Sequence, residues 1–422
     1  MREMKDSGIE WIGKIPVGWK IVKIKNVADI NMGQSPNGDD ISDEGNLLFM
    51  QGNTDFGLKY PTPRLYCDKC PKKSRIGDIL MSVRAPVGEM NISDKVYGIG
   101  RGLCSIKPKS IEREYLWYYM LKSKSDFNYY SNGSTFDSIT LSVIFNFPIP
   151  IPSLSTQQKI SAYLNDKCTK IDSIIEKQEK VIEKLKAYKL SVLTEAVTKG
   201  LNPDVKMKES GVQWIGEIPE HWEQTALKVG LADIQTGPFG SQLHAEDYIE
   251  NGIYVINPAN IINGKIVIDS KCSISYEKAN ELAQHLLSVG DIVFARRGEM
   301  GRCACALDDG IQKLCGTGCI KLKCNDRLIP RYIILYLQTH YIKQYLELNS
   351  VGTTMLNLNS TIISNIPILI PPISEQQQIV NYLDKKCSVI DKSIEQKQAI
   401  IEKLKEYKKS LIYEVVTGKR EV

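Results

Sequence analysis

The chain has 422 residues, 42% of them hydrophobic, and 54 Lys and Arg against 49 Asp and Glu leave a net charge of only +5. That length holds about two to four domains with real cores, and the charge is too small to argue for nucleic acid on its own. No uninterrupted apolar run approaches the roughly 18 residues of a membrane span and no apolar signal core opens the chain, so the expected setting is the cytoplasm, with no membrane partner.

The opening stretch Met4-Lys5-Asp6-Ser7-Gly8-Ile9-Glu10-Trp11-Ile12-Gly13 returns as Met207-Lys208-Glu209-Ser210-Gly211-Val212-Gln213-Trp214-Ile215-Gly216. Pro16 and Trp19 return as Pro219 and Trp222, at the same offset of 203. A middle module follows each copy. In the first, apolar runs bounded by turn residues predict strands over 46–50, 77–83 and 102–106, and a helix over 114–122 with Tyr115, Leu116, Tyr119 and Met120 on one side. The second repeats this order, with strands over 290–296 and 318–322 and a helix over 330–347. The loops differ: Gly33-Gln34-Ser35-Pro36 stands against Gly237-Pro238-Phe239-Gly240-Ser241-Gln242. Loops that vary on a shared scaffold are where binding specificity is usually placed.

Each module then reaches a Gly/Ser/Thr loop, Asn132-Gly133-Ser134-Thr135 or Val351-Gly352-Thr353-Thr354. Proline-rich exits follow, Phe147-Pro148-Ile149-Pro150-Ile151-Pro152 and Ile366-Pro367-Ile368-Leu369-Ile370-Pro371-Pro372. Proline suits neither a helix interior nor a central strand, so these exits read as stiff and extended. They lead to Ser155 and Ser374, read as N-caps.

The long stretches 155–198 and 374–417 match at an offset of 219, which makes the second module sixteen residues longer. Neither contains Gly or Pro. Apolar residues recur at steps of three and four: Ile160, Leu164, Ile171, Ile175, Ile182, Leu185, Val192 and Ala196 in the first copy. The second has Ile379, Leu383, Ile390, Ile394, Ile401, Leu404, Leu411 and Val415. That narrow seam, with a period near 3.5, predicts a coiled coil. A helix of this length reaches roughly 66 Å and cannot bury its seam alone. The other copy is the simplest partner, and antiparallel pairing would close the two halves into a ring.

Signals for chemistry are poor. Gly8-x-x-x-x-Gly13-Lys14 outlines a phosphate loop but continues with Ile15 instead of the Ser or Thr that holds magnesium, and Glu217 replaces the lysine in the second copy. Asn257-Pro258-Ala259-Asn260 lacks the second proline and the aromatic residue of the amino-methyltransferase motif. Eleven cysteines, among them Cys67-x-x-Cys70 and the loose set Cys303, Cys305, Cys315 and Cys319, read as reduced structural thiols rather than as disulfides or a metal site. No catalytic residue, cofactor site or metal site is expected.

Binding is better supported. Arg84 follows a predicted strand, and Arg296 and Arg297 stand at the matching place, with Arg302 beyond them. A guanidinium at a turn reaches guanine edges or phosphates through its planar fork. Backbone N–H groups and hydroxyls at Ser134, Thr135, Thr353 and Thr354 can hold phosphates. The loops add Gln34, Ser35, Asn53 and Arg101 in the first module, and Gln242 and Asn260 in the second, as further DNA-contact candidates.

Taken together, the duplicated SG-x-x-WIG-x-IP-x-x-W segments, the two unlike modules, the proline exits with Gln157 and Gln376, and the paired long helices resemble the specificity subunit of type I restriction-modification systems. The resemblance covers nearly the whole chain. It implies an α+β fold: two mixed α/β target-recognition domains separated by two long antiparallel helices that form a coiled coil, in a pseudo-twofold circular arrangement. The expected divisions are 1–153 and 201–372 for the recognition domains, and 154–200 and 373–422 for the spacer helices. It also implies a non-catalytic reader of double-stranded DNA, each domain taking one half of a bipartite, asymmetric site. The helices would set the gap and dock two methyltransferase subunits, which bring S-adenosylmethionine; restriction subunits with motor and nuclease activity would join them. One departure stands out: Thr198-Lys199-Gly200 ends the first helix where the second has Thr417-Gly418-Lys419. Two other readings stay open, a coiled-coil adaptor that binds only protein and an enzyme with its own nuclease or methyltransferase site.

Overall fold

The structure is a computed structural model of the chain; it describes all residues except 1, 125, 128–137, 213, 214, 299, 300 and 351–357. The chain divides into two compact units, Met1–Glu179 with Gln398–Val422, and Lys180–Lys397.

In the first unit the opening stretch forms a hairpin, with Met4–Asp6 antiparallel to Lys14–Pro16. A four-stranded antiparallel sheet follows, in the order Ala28–Met32, Leu103–Pro108, Ile79–Ser82, Met90–Ile92. Leu48–Met50 is the centre of a smaller sheet, antiparallel to Leu65–Tyr66 and parallel to Gly98–Ile99. The proline exit Pro148–Ile151 does form a strand, paired with Lys20–Lys23. In a two-stranded antiparallel ribbon only every second N–H faces the partner. Prolines at alternate positions are therefore tolerated there.

The predicted helix 114–122 is observed as Arg113–Lys122, and the Glu112 side chain caps it by accepting from the Tyr115 N–H. Its inner face buries Tyr115, Leu116, Tyr119 and Met120 against the sheet and the exit. The Tyr119 hydroxyl donates to the Pro148 carbonyl at 2.7 Å.

The second unit repeats the order. Met207–Glu209 pairs with Glu217–Pro219, and Pro367–Ile370 with Glu223–Ala226. The main sheet runs Leu231–Thr236, Cys319–Cys324, Ile292–Ala295, Cys303–Cys305. The smaller sheet here has four strands: Tyr248–Ile249, Ser273–Ile274, Ile253–Ile256 and Lys313–Cys315. The single helix predicted over 330–347 is two, Pro330–Leu337 and His340–Asn349. The break falls at buried Thr339, whose hydroxyl donates back to the Tyr336 carbonyl at 2.9 Å. A threonine hydroxyl competing for a backbone carbonyl is a local alternative to continuing the helix.

The long helices are Leu154–Lys199 and Ile373–Val416. Ser155 is not the cap of the first: it lies inside the first turn, and Ser153 accepts from the Thr156 N–H at 3.3 Å. In the second, Ser374 is likewise within the first turn, and the Pro372 carbonyl receives the Glu375 and Gln376 N–H groups. The reason is the same in both: the chain leaves the exit strand already turned for the helix, one residue ahead of the serine.

Within the first unit Ile160, Leu164, Cys168 and Ile171 share a core with Leu411, Ile412, Val415 and Val416. Lys408 Nζ lies 2.7 Å from both carboxylate oxygens of Asp172. Tyr115 donates to the carbonyls of Pro150 and Val416, tying the exit strand to the last turn of the second long helix. Within the second unit Val192, Leu193, Ala196 and Val197 pack with Ile379, Val380 and Leu383. Lys189 Nζ lies 2.7 Å from both oxygens of Asp391, and Tyr332 donates to the Leu369 and Val197 carbonyls. Gly200 and Gly418 both take a left-handed conformation, with φ of 76° and 72°, beside Trp222 and Trp19 respectively. Both are the C-terminal glycine that lets a helix stop, so the two unlike endings perform one task at slightly different positions.

Candidate nucleic-acid interface

The exposed candidate residues of the first module meet at one turn, Gly100-Arg101-Gly102. The turn closes with Leu103 N–H on the Gly100 carbonyl at 3.0 Å. Gly100 N–H donates to Met50 and Gly102 N–H to Gln51, at 2.8 and 3.1 Å. Val83 N–H reaches the Gly102 carbonyl at 2.9 Å and places Arg84 beside the turn, while Gln34 N–H reaches the Ile99 carbonyl at 3.0 Å. Gln51 donates from Nε2 to the Ser35 hydroxyl at 2.8 Å. Gln34, Gln51, Arg84 and Arg101 are exposed, whereas Ser35 and Asn53 are half-buried, Asn53 opening a short 3-10 turn just after Gly52.

The second module carries the same frame around Gly316-Thr317-Gly318. Cys319 N–H closes on Gly316 at 3.0 Å, Gly316 N–H donates to Ile256 at 2.9 Å, and Arg296 N–H donates to Gly318 at 2.9 Å. By these bonds Val83 corresponds to Arg296, and Arg84 to Arg297. Arg297 is exposed. Arg296 is half-buried and its Nε–H donates to the Leu358 carbonyl at 2.9 Å, so it fixes the chain locally. Arg302 is half-buried next to the main sheet, with a buried Nε that has no hydrogen-bond partner among the described residues.

Two other candidates serve their own backbone. The Gln242 carbonyl oxygen accepts from Phe239 N–H at 2.9 Å. Asn260 is only 8% exposed; its Oδ1 accepts from Asn257 N–H and its Nδ2 donates to the Val267 carbonyl. Ser134, Thr135, Thr353 and Thr354 lie outside the described residues. Gln51, Asn257 and Thr317 were missed by the sequence reading. The signal was present: a Gly-x-Gly before a strand, at the same place in both halves.

Burial sets the state of the thiols behind these turns. It pushes Cys104, Cys303, Cys315 and Cys324 up to about 12, so they stay protonated at neutral pH and pack as small apolar groups. His285 is pushed down, first by burial and then by Lys321, and is held neutral.

The family described as the type I restriction modification DNA specificity domain matches residues 16–184 and 219–406. The chain is 37% identical over 190 residues to the putative type I restriction enzyme MjaX specificity subunit of Methanocaldococcus jannaschii, covering 43% of this chain and 44% of that one. Against the MjaIX specificity subunit of the same organism it is 26% identical over 439 residues, covering 97% and 95%. A solved structure described as the structural basis of complex assembly and conformational transition of the type I R-M system shares the fold, with a TM-score of 0.72 at 18% identity over 96% of this chain and 99% of that one. No helix among the described residues is long and apolar enough to cross a membrane. The duplicated fold and the family matches in both halves agree, and the chain belongs to the type I restriction-modification DNA specificity family.

Proposed function

We propose that the chain is the sequence-reading subunit of a type I restriction-modification complex, with each module reading one half of a bipartite, asymmetric DNA site. The observation that carries this reading is the repeated hydrogen-bond frame with unlike side chains on it: the exposed Gln34, Gln51 and Arg101 in one module, and a buried Pro238, a half-buried Asn257 and an exposed Thr317 at the matching places in the other. A shared scaffold gives both readers one docking geometry, and different side chains give them different half-sites.

The recognition domains are 1–153 and 201–372, with spacer helices over 154–200 and 373–422. The two helices run antiparallel as a coiled coil that holds the readers apart in a pseudo-twofold ring. The ion pairs support this: Asp391 lies 219 positions after Asp172, and Lys408 lies 219 after Lys189, so each pair is the other with its partners exchanged. The chain performs no catalysis. Two methyltransferase subunits dock on it and supply the chemistry, and restriction subunits join them. Each reader alone binds weakly, and fixing the second close to its half-site raises its effective concentration.

Selection from a randomised duplex library by the chain assembled with its modification subunits tests this. Two unlike motifs separated by a fixed gap are expected; one continuous motif rejects the bipartite reading, and no motif at all rejects it in favour of a protein-only adaptor.

A further inference from the structure

The two modules share one backbone construction at the turn and differ in what projects from it. Three backbones meet there so closely that side chains are excluded. A Cβ on Gly33 would lie 2.1 Å from the Gly100 carbonyl oxygen, and one on Gly237 would lie 1.9 Å from the Gly316 oxygen. A Cβ on Gly100 would lie 2.8 Å from the Gln51 Cα, and one on Gly102 would lie 2.6 Å from the Gln51 oxygen. In the second module a Cβ on Gly316 would lie 2.8 Å from the Ile256 oxygen, and one on Gly318 would lie 2.8 Å from Pro258 Cδ. Real Cβ atoms do not approach backbone or a rigid proline ring this closely, so glycine is required at these positions in both modules. The residue between the two glycines is the one that stays free to vary. It is Arg101 in one module and Thr317 in the other, and both are exposed.

The neighbouring arginine behaves in the opposite way. Arg84 and Arg297 occupy the same place on the same frame, are the same residue, and are both exposed. A group identical in both readers carries no information that separates two unlike half-sites.

We infer that the central residue of the Gly-x-Gly turn, Arg101 or Thr317, contacts a base edge and determines base choice in its half-site, while Arg84 and Arg297 hold backbone phosphates. The inference rests on the proposed reading of a bipartite site. The turn is preorganised by backbone bonds on both sides, so its one projecting side chain is presented with little loss of backbone freedom. Arginine there suits guanine through its O6 and N7 acceptors, whereas threonine offers one hydroxyl and a methyl group, a weaker and different contact.

The assembled complex, selecting from a randomised duplex library at one fixed salt concentration, provides the test. Arg101→Thr should lose about tenfold of guanine preference at one position of one half-site, the scale of a bidentate base contact. Thr317→Arg should gain a guanine preference at one position of the other half. Arg101→Lys keeps the charge but not the fork, so it should retain affinity and lose preference. Arg84→Ala should weaken binding alike across sequences and leave both motifs intact. Because these side chains are exposed, unchanged thermal melting is expected for all four variants. Motifs unchanged by Arg101→Thr and Thr317→Arg, or both halves changing together, would overturn the assignment, as would an altered motif with Arg84→Ala. A parent complex that selects no bipartite motif would instead refute the reading beneath it.

Discussion

Gln157 and Gln376 each join three pieces of chain. Gln376 is fully buried; its Oε1 accepts from Ile329 N–H at 2.9 Å, and its Nε2 donates to the Arg327 and Pro371 carbonyls at 2.8 and 2.9 Å. Gln157 does the same with Glu112 N–H and the Pro152 carbonyl. The side chain thus ties the exit, the first turn of a long helix and the start of the module's own helix. Gln376→Ala leaves buried polar groups unpaired, at about 1–3 kcal/mol. A lowered thermal midpoint of the full chain, with the substitution Gln377→Ala as the exposed comparison, checks this; equal midpoints would contradict it. At this scale the sequence was a partial guide. It marked the repeated glutamine as a position without revealing its bonds. It did not separate Arg297, which faces solvent, from Arg296, which is spent on Leu358, nor expose the burial of Asn260. Those distinctions depend on contacts with residues distant in the chain.

Among elements, the long helices were the most readable, because a seam repeated over many turns is a signal that local accidents cannot erase. Their observed bounds lie within one residue of the repeated stretches 155–198 and 374–417. The short elements were less so: Thr339 splits a helix through a single hydroxyl, and the parallel pairings of the smaller sheets join segments far apart in the chain, Leu48–Met50 with Gly98–Ile99 and Ile253–Ile256 with Lys313–Cys315. The apolar seam, rather than the ion pairs, is expected to contribute most to holding the helices in place. Leu164 is fully buried, and Leu164→Ala should cost about 2–5 kcal/mol. Lys408→Ala removes an ion pair whose partners are both partly exposed, with an expected effect of about 0–1 kcal/mol. Denaturant midpoints of the two variants compare these directly, and a larger shift for Lys408→Ala would reverse the ranking.

At the scale of the molecule, the duplication carries the functional proposal. It was readable because the opening motif, the exit and the helix recur in one order, each tied to a structural need: Trp19 and Trp222 pack against the glycine that ends a long helix, and the glutamines fasten the exits. What the readers recognise was not readable, since on the proposed reading it rests on the few side chains that the shared frame leaves free. The most direct measurement concerns the spacer. One heptad inserted after Lys180 and another after Ala399, the same position of the two repeats, preserves the apolar seam and lengthens each helix by about 10 Å. That corresponds to about three base pairs along the duplex. Mapping methylated sites with the lengthened chain should return the same two half-sites separated by a gap about three base pairs wider; an unchanged gap with both half-sites still read would contradict a spacer set by the paired helices.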